Sequence, residues 1–293
     1  MDLVCERLKV KAYGKLNLML DIVGKRQDGY HTLNSVMQSV DLYDVLDITL
    51  SEGEGVEILC DKEGFPCDES NLIWKAIAAF QKHTGIDYGR KITVKVEKNL
   101  PSMAGMGGGS SDCAAMLSAL NFMYGTNLLD DELGRVGVTI GADVPFCLVG
   151  GTQLCQGIGE IVHRLPSPPC KFLIIKPDIG ISTPEAYKAY DRIVNPQRCS
   201  TDVFVKSLGS GNIYSLCANM FNALEYAFCP DEIQKAKDDL RRAGALQTLM
   251  TGSGSAVFGV FDNDDALQRA YDSIEGYSYK QMCSPVRKGC EFI

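Results

Sequence analysis

The chain has 293 residues and a mass of 32.0 kDa, and its 29 Lys and Arg against 37 Asp and Glu give a net charge of −8. This acidic balance argues against a protein that binds the phosphate backbone of a nucleic acid. No apolar run approaches the roughly 18 residues that a membrane-spanning helix needs, so we expect no membrane partner. An apolar fraction of 45% and a charged fraction of 23% are typical of a globular protein with one large or two ordinary domains.

The cysteines are numerous but scattered: twelve lie between Cys5 and Cys290, with no C-x-x-C pair and only three histidines in the chain. This distribution favours reduced, mostly buried thiols over disulfides or a metal site. The first residues also lack the charged and then apolar pattern of a secretory signal. We therefore expect a cytoplasmic protein. We also expect a monomer or a weak homodimer, although no feature of the sequence reports the oligomeric state.

The first half of the chain predicts strands alternating with helices. Period-2 alternation predicts strands over residues 8–22, 45–50, 56–60 and 91–97. A helix is predicted over residues 70–85, because Ser70 or Asn71 can cap it and Gly85 ends its apolar pattern. A second helix is predicted over residues 111–124, where apolar residues recur at a spacing of three.

The second half begins at a proline cluster, LPSPPC, which follows Arg164 and predicts a boundary between domains at residues 1–163 and 164–293. Helices are predicted over residues 183–191, 231–243 and 264–273, with strands at FLIIK and AVFGVF. Two α+β domains follow from this order of elements.

The most informative segment is PSMAGMGGGSSDCAA, which starts at Pro101 and joins a predicted strand to a predicted helix. Its four glycines are Gly105, Gly107, Gly108 and Gly109. Glycine adopts positive φ and lets the backbone approach a ligand, so successive N–H groups can point into one concavity. The following helix adds unpaired N–H groups and the positive end of its dipole. The segment predicts phosphate binding, with a hinge or tight turn as the alternative.

Two familiar nucleotide-binding patterns do not fit this segment. A Walker A loop needs G-x-x-x-x-G-K-[ST], and no glycine-lysine pair in the chain is followed by Ser or Thr. The dinucleotide fingerprint G-x-G-x-x-G finds Gly105 and Gly107 but meets Ser110 at its third glycine. Neither of these two folds is supported.

The segment instead resembles the loop of the GHMP kinase superfamily, P-x-x-x-G-[apolar]-G-[GS]-[GS]-S-S. Residues that fit are Pro101, Gly105, Met106, Gly107, Ser110 and Ser111. Three further segments, YGKLNLML, GADVPF and MTGSGSAVFG, lie in the order of that family. The resemblance implies an α+β, two-domain GHMP kinase fold, with a ribosomal S5 domain 2-like amino-terminal domain and a ferredoxin-like carboxy-terminal domain.

The resemblance also implies ATP-dependent phosphorylation of an alcohol, with Lys15 and Asp143 at the catalytic positions. The ATP-binding residues that it implies are Pro101, Ser102, Met103, Ala104, Gly105, Met106, Gly107, Gly108, Gly109, Ser110, Ser111 and Asn71. Asn71 is equally explained as a helix cap. We expect the MTGSGSAVFG segment to line the site, with a plain turn as the alternative.

The segment KRQDGYHTLNSVMQSVDLYD, residues 25–44, resembles the branch of the superfamily whose alcohol substrate is a small cytidyl diphosphate. That branch implies a cytosine stacked between Tyr30 and Tyr187, with His31 reading the base edge. Asn17, on the same strand face as Lys15, is a further candidate for a substrate hydrogen bond. Without the resemblance, Tyr30 and His31 are equally well explained as loop residues, and Tyr187 as a residue that packs its helix.

Magnesium is expected to arrive with ATP, because Mg²⁺ keeps several waters and needs few protein ligands. Ser110 and Ser111 are candidates to contact it, no carboxylate is assigned to it, and the chain offers no zinc-type ligand spacing. Two alternatives remain open. One is a superfamily kinase for homoserine, mevalonate or a sugar, and the other is a non-catalytic nucleotide sensor on the same fold.

Overall fold

The structure, a computed structural model, describes residues 3–86 and 89–293 and arranges them around two β-sheets. The strands are β1 (Arg7–Lys25), β2 (His31–Ser51), β3 (Val56–Leu59), β4 (Lys91–Glu97), β5 (Thr152–Gly157), β6 (Ile161–Leu165), β7 (Lys171–Lys176), β8 (Phe221–Asn222), β9 (Gln247–Met250), β10 (Val257–Phe261), β11 (Tyr279–Cys283) and β12 (Cys290–Phe292). The helices are α1 (Leu72–Thr84), α2 (Gly108–Met123), α3 (Asp130–Val138), α4 (Val144–Val149), α5 (Thr183–Tyr190), α6 (Thr201–Gly209), α7 (Ile213–Ala218), α8 (Ala223–Ala227), α9 (Asp231–Arg242) and α10 (Asp264–Ser273).

The first sheet has the order β12-β1-β2-β4-β3, with the β5–β6 hairpin paired to the other half of β2 and β8 parallel to β1. Helices α1 and α2 bury their apolar faces against it. The predicted caps of α1 are confirmed: the Asn71 side chain accepts the Ile73 N–H, and Gly85 ends the helix at φ +70°. Both groups satisfy backbone atoms that a helix end leaves unpaired.

The first strand, β1, contributes residues to all three hydrophobic cores of the described chain. Val10 belongs to the core beneath α1 and α2, Leu16 to the core between the two sheets, and Leu20 to the core of the second half. A run of mostly apolar residues buried on both faces explains why β1 continues through 19 residues. The strand therefore carries its side chains past the junction of the two halves.

The second sheet is antiparallel with the order β11-β7-β10-β9, and α9 and α10 pack on it. Phe172 and Phe258 meet edge to face in its core, with ring centroids 5.6 Å apart. Strand β6 crosses the predicted domain boundary between residues 163 and 164. Strand β12 returns to the first sheet, because Val10 of β1 pairs with Phe292.

Helix α2 begins at Gly108, three residues before its predicted start. The glycines at 108 and 109 are therefore part of the first helical turn, and Gly107, at φ +72°, is the residue before it. Glycine is a poor helix former, which is why apolar spacing alone placed the start at residue 111. In the part of the chain that the structure describes, none of the helices is long and apolar enough to cross a membrane.

Candidate active site

A cleft of about 1180 Å³ lies between the two halves of the molecule. Its walls are the segment from Pro101 to Ser110, the β1 side chains Lys15 and Asn17, the turn before β2, helix α5 and the turn after β9. Asp143 of the GADVPF segment also lines the cleft, so the four sequence segments of the resemblance meet in one place. A concave site of this size that exposes a few polar groups is the usual form of a small-molecule site.

The glycine segment fits between β1 and the turn after β9 with almost no free space. Gly105 has φ +72°, and a Cβ there would lie 2.0 Å from the carbonyl oxygen of Thr251. Gly107 also has φ +72°, and a Cβ there would lie 3.0 Å from Cγ of Lys15. The Lys15 N–H donates to the carbonyl oxygen of Met106 at 2.9 Å. The positive φ therefore favours glycine at both positions, and at Gly105 the lack of space requires it as well.

The amino terminus of α2 opens into the same cleft. No side chain caps it, so the N–H groups of its first turn remain available to an anion. Gly108, Gly109 and Ser110 line the cleft, whereas Ser111 is fully buried and its hydroxyl donates to the carbonyl oxygen of Tyr13 at 2.7 Å. Of the neighbouring predicted ATP-site serines Ser110 and Ser111, the structure therefore directs Ser111 into the protein interior.

Lys15 and Asp143, predicted from distant segments, come together beside the glycine segment. The Lys15 Nζ lies 3.4 Å from Oδ2 of Asp143, whose side chain is 32% exposed, while that of Lys15 is 5% exposed. The β1–β2 register shifts between Tyr13 and Lys15, and such an irregularity redirects the side chains of a strand. Asp143 stands at the residue before α4. The arrangement places one ammonium and one reachable carboxylate at the edge of the cleft.

The Asn17 side chain holds Lys15 in position. Its Oδ1 accepts from the Lys15 Nζ at 2.5 Å, and its Nδ2 donates to the Ser35 hydroxyl at 2.9 Å. The Asn17 N–H donates to the Thr251 hydroxyl at 3.0 Å, which ties β1 to the turn after β9. Asn17 lines the cleft as predicted, but its amide is engaged with protein groups. A substrate contact from Asn17 stays a prediction.

A buried charge network behind the glycine segment was missed by the sequence analysis. Lys98 forms ion pairs with Asp44 and, at 2.8 Å, with Asp112. The Asp44 carboxylate also accepts the N–H groups of Asn99 and Leu100, at 2.7 and 2.8 Å. The pKa of Asp112 is raised to about 7, mainly by burial. The negative charge of Asp44 also raises it, whereas the positive charge of Lys98 lowers it. The network fixes the chain that leads into the glycine segment against the first turn of α2.

The signal for this network was present in the sequence but weak. Lys98 stands just before the glycine segment and Asp112 just after it. Taken alone, a Lys or an Asp at such a position is expected to be exposed to solvent. Asp44 lies on β2, more than fifty residues away, and no local pattern connects it with the other two. Only the folded chain brings the three together.

The far end of the cleft holds the residues predicted to bind a base. The rings of His31 and Tyr187 stack at a centroid distance of 4.7 Å and an interplanar angle of 20°. Tyr30 is 61% exposed beside them. His31 covers one face of Tyr187, so a base that stacks on Tyr187 has to use the other face. Asn71 also lines the cleft, with its side chain engaged as the cap of α1.

Two family descriptions match the chain: "GHMP kinases N terminal domain" over residues 71–151 and "GHMP kinases C terminal" over residues 204–280. Together they cover more than half of its length. The chain belongs to the GHMP kinases, which are ATP-dependent phosphotransferases. The predicted α+β GHMP kinase fold is confirmed.

Curated relatives show which group of GHMP kinases this chain resembles. Proteins named 4-diphosphocytidyl-2-C-methyl-D-erythritol kinase are similar to this chain in Clostridium kluyveri (42% identity over 93% of this chain and 97% of the relative) and Caldicellulosiruptor saccharolyticus (44%, 89% and 91%). Another, in Thermoanaerobacter pseudethanolicus, is 40% identical over 98% of this chain and 99% of the relative. Within the GHMP kinases, the chain belongs to the family of these 4-diphosphocytidyl-2-C-methyl-D-erythritol kinases.

One solved structure is described as the same kinase as these relatives, and another shares only the fold. One described as "Crystal structure of 4-(cytidine 5'-diphospho)-2C-methyl-D-erythritol kinase" has a TM-score of 0.79 at 28% identity, covering 94% of this chain and 98% of the other. A homoserine kinase from Cytophaga hutchinsonii has a TM-score of 0.78 at 20% identity, covering 100% and 99%. The second likeness shows the fold alone.

Proposed function

We propose that the protein transfers the terminal phosphate of ATP to the 2-hydroxyl of 4-diphosphocytidyl-2-C-methyl-D-erythritol, a step of non-mevalonate isoprenoid precursor biosynthesis. One observation carries the proposal: the Lys15 Nζ and the Asp143 carboxylate lie 3.4 Å apart in the cleft that the glycine segment lines. The names of the curated relatives supply the substrate.

The glycine segment is the proposed site of the ATP phosphates. Gly105 and Gly107 take up backbone conformations that other residues rarely adopt, and the first turn of α2 presents its N–H groups to the cleft. Mg²⁺ bound to ATP would neutralise phosphate charge. The described residues contain no cluster of three or more His, Cys, Asp or Glu that fits a metal. Ser110, which lines the cleft beside the glycines, is the proposed protein contact to Mg²⁺, which needs few protein ligands.

Asp143 is the proposed acceptor of the hydroxyl proton. An aspartate is a weak base toward an alcohol, so it need not remove the proton before the phosphoryl group moves. Phosphoryl transfer has a loose transition state in which positioning and charge neutralisation provide most of the catalysis. Asp143 can therefore orient the hydroxyl and receive its proton late in the transfer.

Lys15 is proposed to contact both reactants. Its ammonium lies beside Asp143 and is held by Asn17, so its position is set before any ligand arrives. A buried cation here stabilises the ionised carboxylate and the negative charge that develops on the acceptor oxygen. Because the side chain is almost fully buried, bulk water screens this charge only weakly.

The cytidyl end of the substrate is proposed to bind beside Tyr30, His31 and Tyr187. Stacking of a base on an aromatic ring is worth roughly 1 to 3 kcal/mol, which is enough to select a nucleotide from a smaller alcohol. The Tyr30 side chain is 61% exposed, so its ring is accessible to a bound base. The cytoplasmic location and the monomeric or weakly dimeric state stay predictions.

The test is a comparison of acceptors. With Mg-ATP we expect turnover of the cytidyl alcohol and at least 100-fold lower kcat/KM for homoserine, mevalonate and simple sugars, since these lack the base. Preference for one of those alcohols would overturn the substrate assignment. ATP binding without transfer to any acceptor would point to a nucleotide sensor.

A further inference from the structure

Asp191 is a charged residue of the cleft that the proposed mechanism does not use. It follows the last turn of α5, where its N–H donates to the carbonyl oxygen of Tyr187 at 2.9 Å. Its carboxylate meets two side chains from the β1–β2 hairpin. Lys25 Nζ lies 2.5 Å from Oδ2, and His31 Nε2 lies 2.7 Å from Oδ1. One carboxylate thus connects α5 to a hairpin more than 150 residues away in sequence.

The His31 ring is enclosed on several sides. Tyr187 stacks on one face, Tyr190 meets it edge-on at a centroid distance of 6.4 Å, and the side chain is only 10% exposed. Among the described residues, Asp191 is the hydrogen-bond partner of Nε2, and no hydrogen bond is found to Nδ1. The ring therefore has a fixed orientation with one nitrogen still unused.

The charge on Asp191 decides which nitrogen of His31 carries the proton. The Lys25 hydrogen bond, followed by the His31 hydrogen bond, holds the pKa of Asp191 below its ordinary value despite partial burial. An ionised carboxylate can only accept, so the neutral ring must donate Nε2–H to it. In a neutral imidazole the other nitrogen then has a lone pair and no proton.

We propose that Asp191 is a positioning residue that fixes His31 as the Nε2–H tautomer, so that Nδ1 is the hydrogen-bond acceptor offered to the base. This inference rests on the proposed function. Cytosine carries an exocyclic amino group, which donates, at the position where uracil carries a carbonyl oxygen, which only accepts. An Nδ1 acceptor thus favours a cytidyl over a uridyl substrate, and Asp191 sets that preference without touching the ligand.

The tautomer can be measured directly, because the chain has only three histidines. Two-bond ¹H–¹⁵N correlation spectra of the ligand-free protein at about pH 8, above the ordinary imidazole pKa, distinguish the two tautomers. His31→Gln identifies the His31 signals. We expect Nε2–H in the unmodified protein and a shift toward the Nδ1–H form in Asp191→Ala. An Nδ1–H form in the unmodified protein would overturn the proposal.

The kinetic test compares two variants of Asp191, one that removes its hydrogen bond to His31 and one that keeps an acceptor there. Asp191→Ala should raise KM for the cytidyl substrate about tenfold, the usual order for a lost charge-assisted hydrogen bond, and leave KM for ATP unchanged. It should also reduce the preference over the uridyl analogue. Asp191→Asn, which keeps an acceptor, should recover part of both. Asp264→Ala removes the surface ion pair between Asp264 of α10 and Lys171 of β7 and serves as the matched control, with no effect expected.

A merely structural role for Asp191 predicts a different result. Lys25→Met breaks the other half of the connection between α5 and the hairpin but leaves the His31 contact. If Lys25→Met lowered the cytidyl preference and altered the His31 signals as much as Asp191→Ala, the tautomer role would be wrong. If the unmodified protein turned over neither substrate, the proposed function would fail, while the spectra would still decide how Asp191 and His31 interact.

Discussion

Gly105 offers the sharpest test of how the glycine segment is held. Replacing it with Ala adds one methyl group whose carbon would lie 2.0 Å from the Thr251 carbonyl oxygen. Ordinary van der Waals contact begins at 3.4 Å, so the glycine segment and the turn after β9 must separate by more than 1 Å. Neither group is the end of a flexible side chain, so backbone has to move.

Two costs add in Gly105→Ala. A left-handed conformation costs a non-glycine residue about 1 to 2 kcal/mol, and overpacking costs typically about 1 to 3 kcal/mol more. Gly64 is a matched control, because its φ is +74° and nothing lies within 4 Å of an added Cβ. Gly64→Ala should therefore show the first cost alone.

The assays are urea unfolding and steady-state kinetics. We expect Gly105→Ala to lose about 1 to 3 kcal/mol more unfolding free energy than Gly64→Ala. Because the same segment is the proposed phosphate site, kcat/KM for ATP should fall about 100-fold, as expected for reacting groups displaced by about 1 Å. Gly64→Ala should keep its activity. Equal stability and equal activity in the two variants would refute the close packing of Gly105 against Thr251.

Three further results are expected. Asp143→Asn should lower kcat by roughly 100-fold or more while ATP still binds, as measured by calorimetry; unchanged turnover would remove Asp143 from its assigned role. Burial raises the pKa of Asp112 to about 7, so between about pH 4 and pH 7 the folded protein holds a proton that the unfolded chain releases. The unfolding free energy should therefore fall with rising pH by at most about 1.4 kcal/mol per pH unit from this group, and Asp112→Asn should flatten that slope; an identical slope would contradict it. Cys67 and Cys229 are the exposed thiols among twelve free cysteines, so a thiol reagent should modify two rapidly and twelve after unfolding; fewer than twelve would reveal a disulfide.

The sequence predicted best where a local signal decides the structure. Asn71 and Gly85 bound α1 because a helix end needs a side-chain acceptor at its start and tolerates a left-handed residue at its end. Helix α10 matches its predicted range of residues 264–273, and its start has a similar cap, because the Asn263 side chain accepts the Ala266 N–H. The composition of the glycine segment predicted a phosphate site, which stays a prediction. The family resemblance placed Lys15 and Asp143 together beside that segment, and the structure brings them within 3.4 Å of each other there.

Prediction failed where polar residues face the interior. Within β2, the sequence predicted a strand only over residues 45–50 and none over the first half. Ser35, Gln38 and Ser39 interrupt the apolar alternation there, yet all three are buried. The side chains of Ser35 and Gln38 have hydrogen-bond partners elsewhere in the chain: the Ser35 hydroxyl donates to the Met19 carbonyl oxygen at 2.9 Å, and the Gln38 amide donates to the Val286 carbonyl oxygen at 3.1 Å. A local pattern carries no information about such partners.

The same limit explains the missed charges of the site. From the sequence pattern, Asp191 is expected to be an exposed residue at the end of a helix, and Asp44 an exposed charge on a strand. Each acquires its role through residues that are fifty or more positions away, His31 and Lys98 respectively. Periodicity and spacing describe neighbours along the chain, and these contacts exist only after folding.

The most direct test of the account is the identity of the product. Incubation with Mg-ATP and 4-diphosphocytidyl-2-C-methyl-D-erythritol, followed by ³¹P and ¹H NMR, should show one new phosphate monoester on the 2-hydroxyl, formed with an equal amount of ADP. Lys15→Met and Asp143→Asn should each suppress the new signal. Release of inorganic phosphate without a phosphorylated alcohol, or a phosphate at another hydroxyl, would contradict the account.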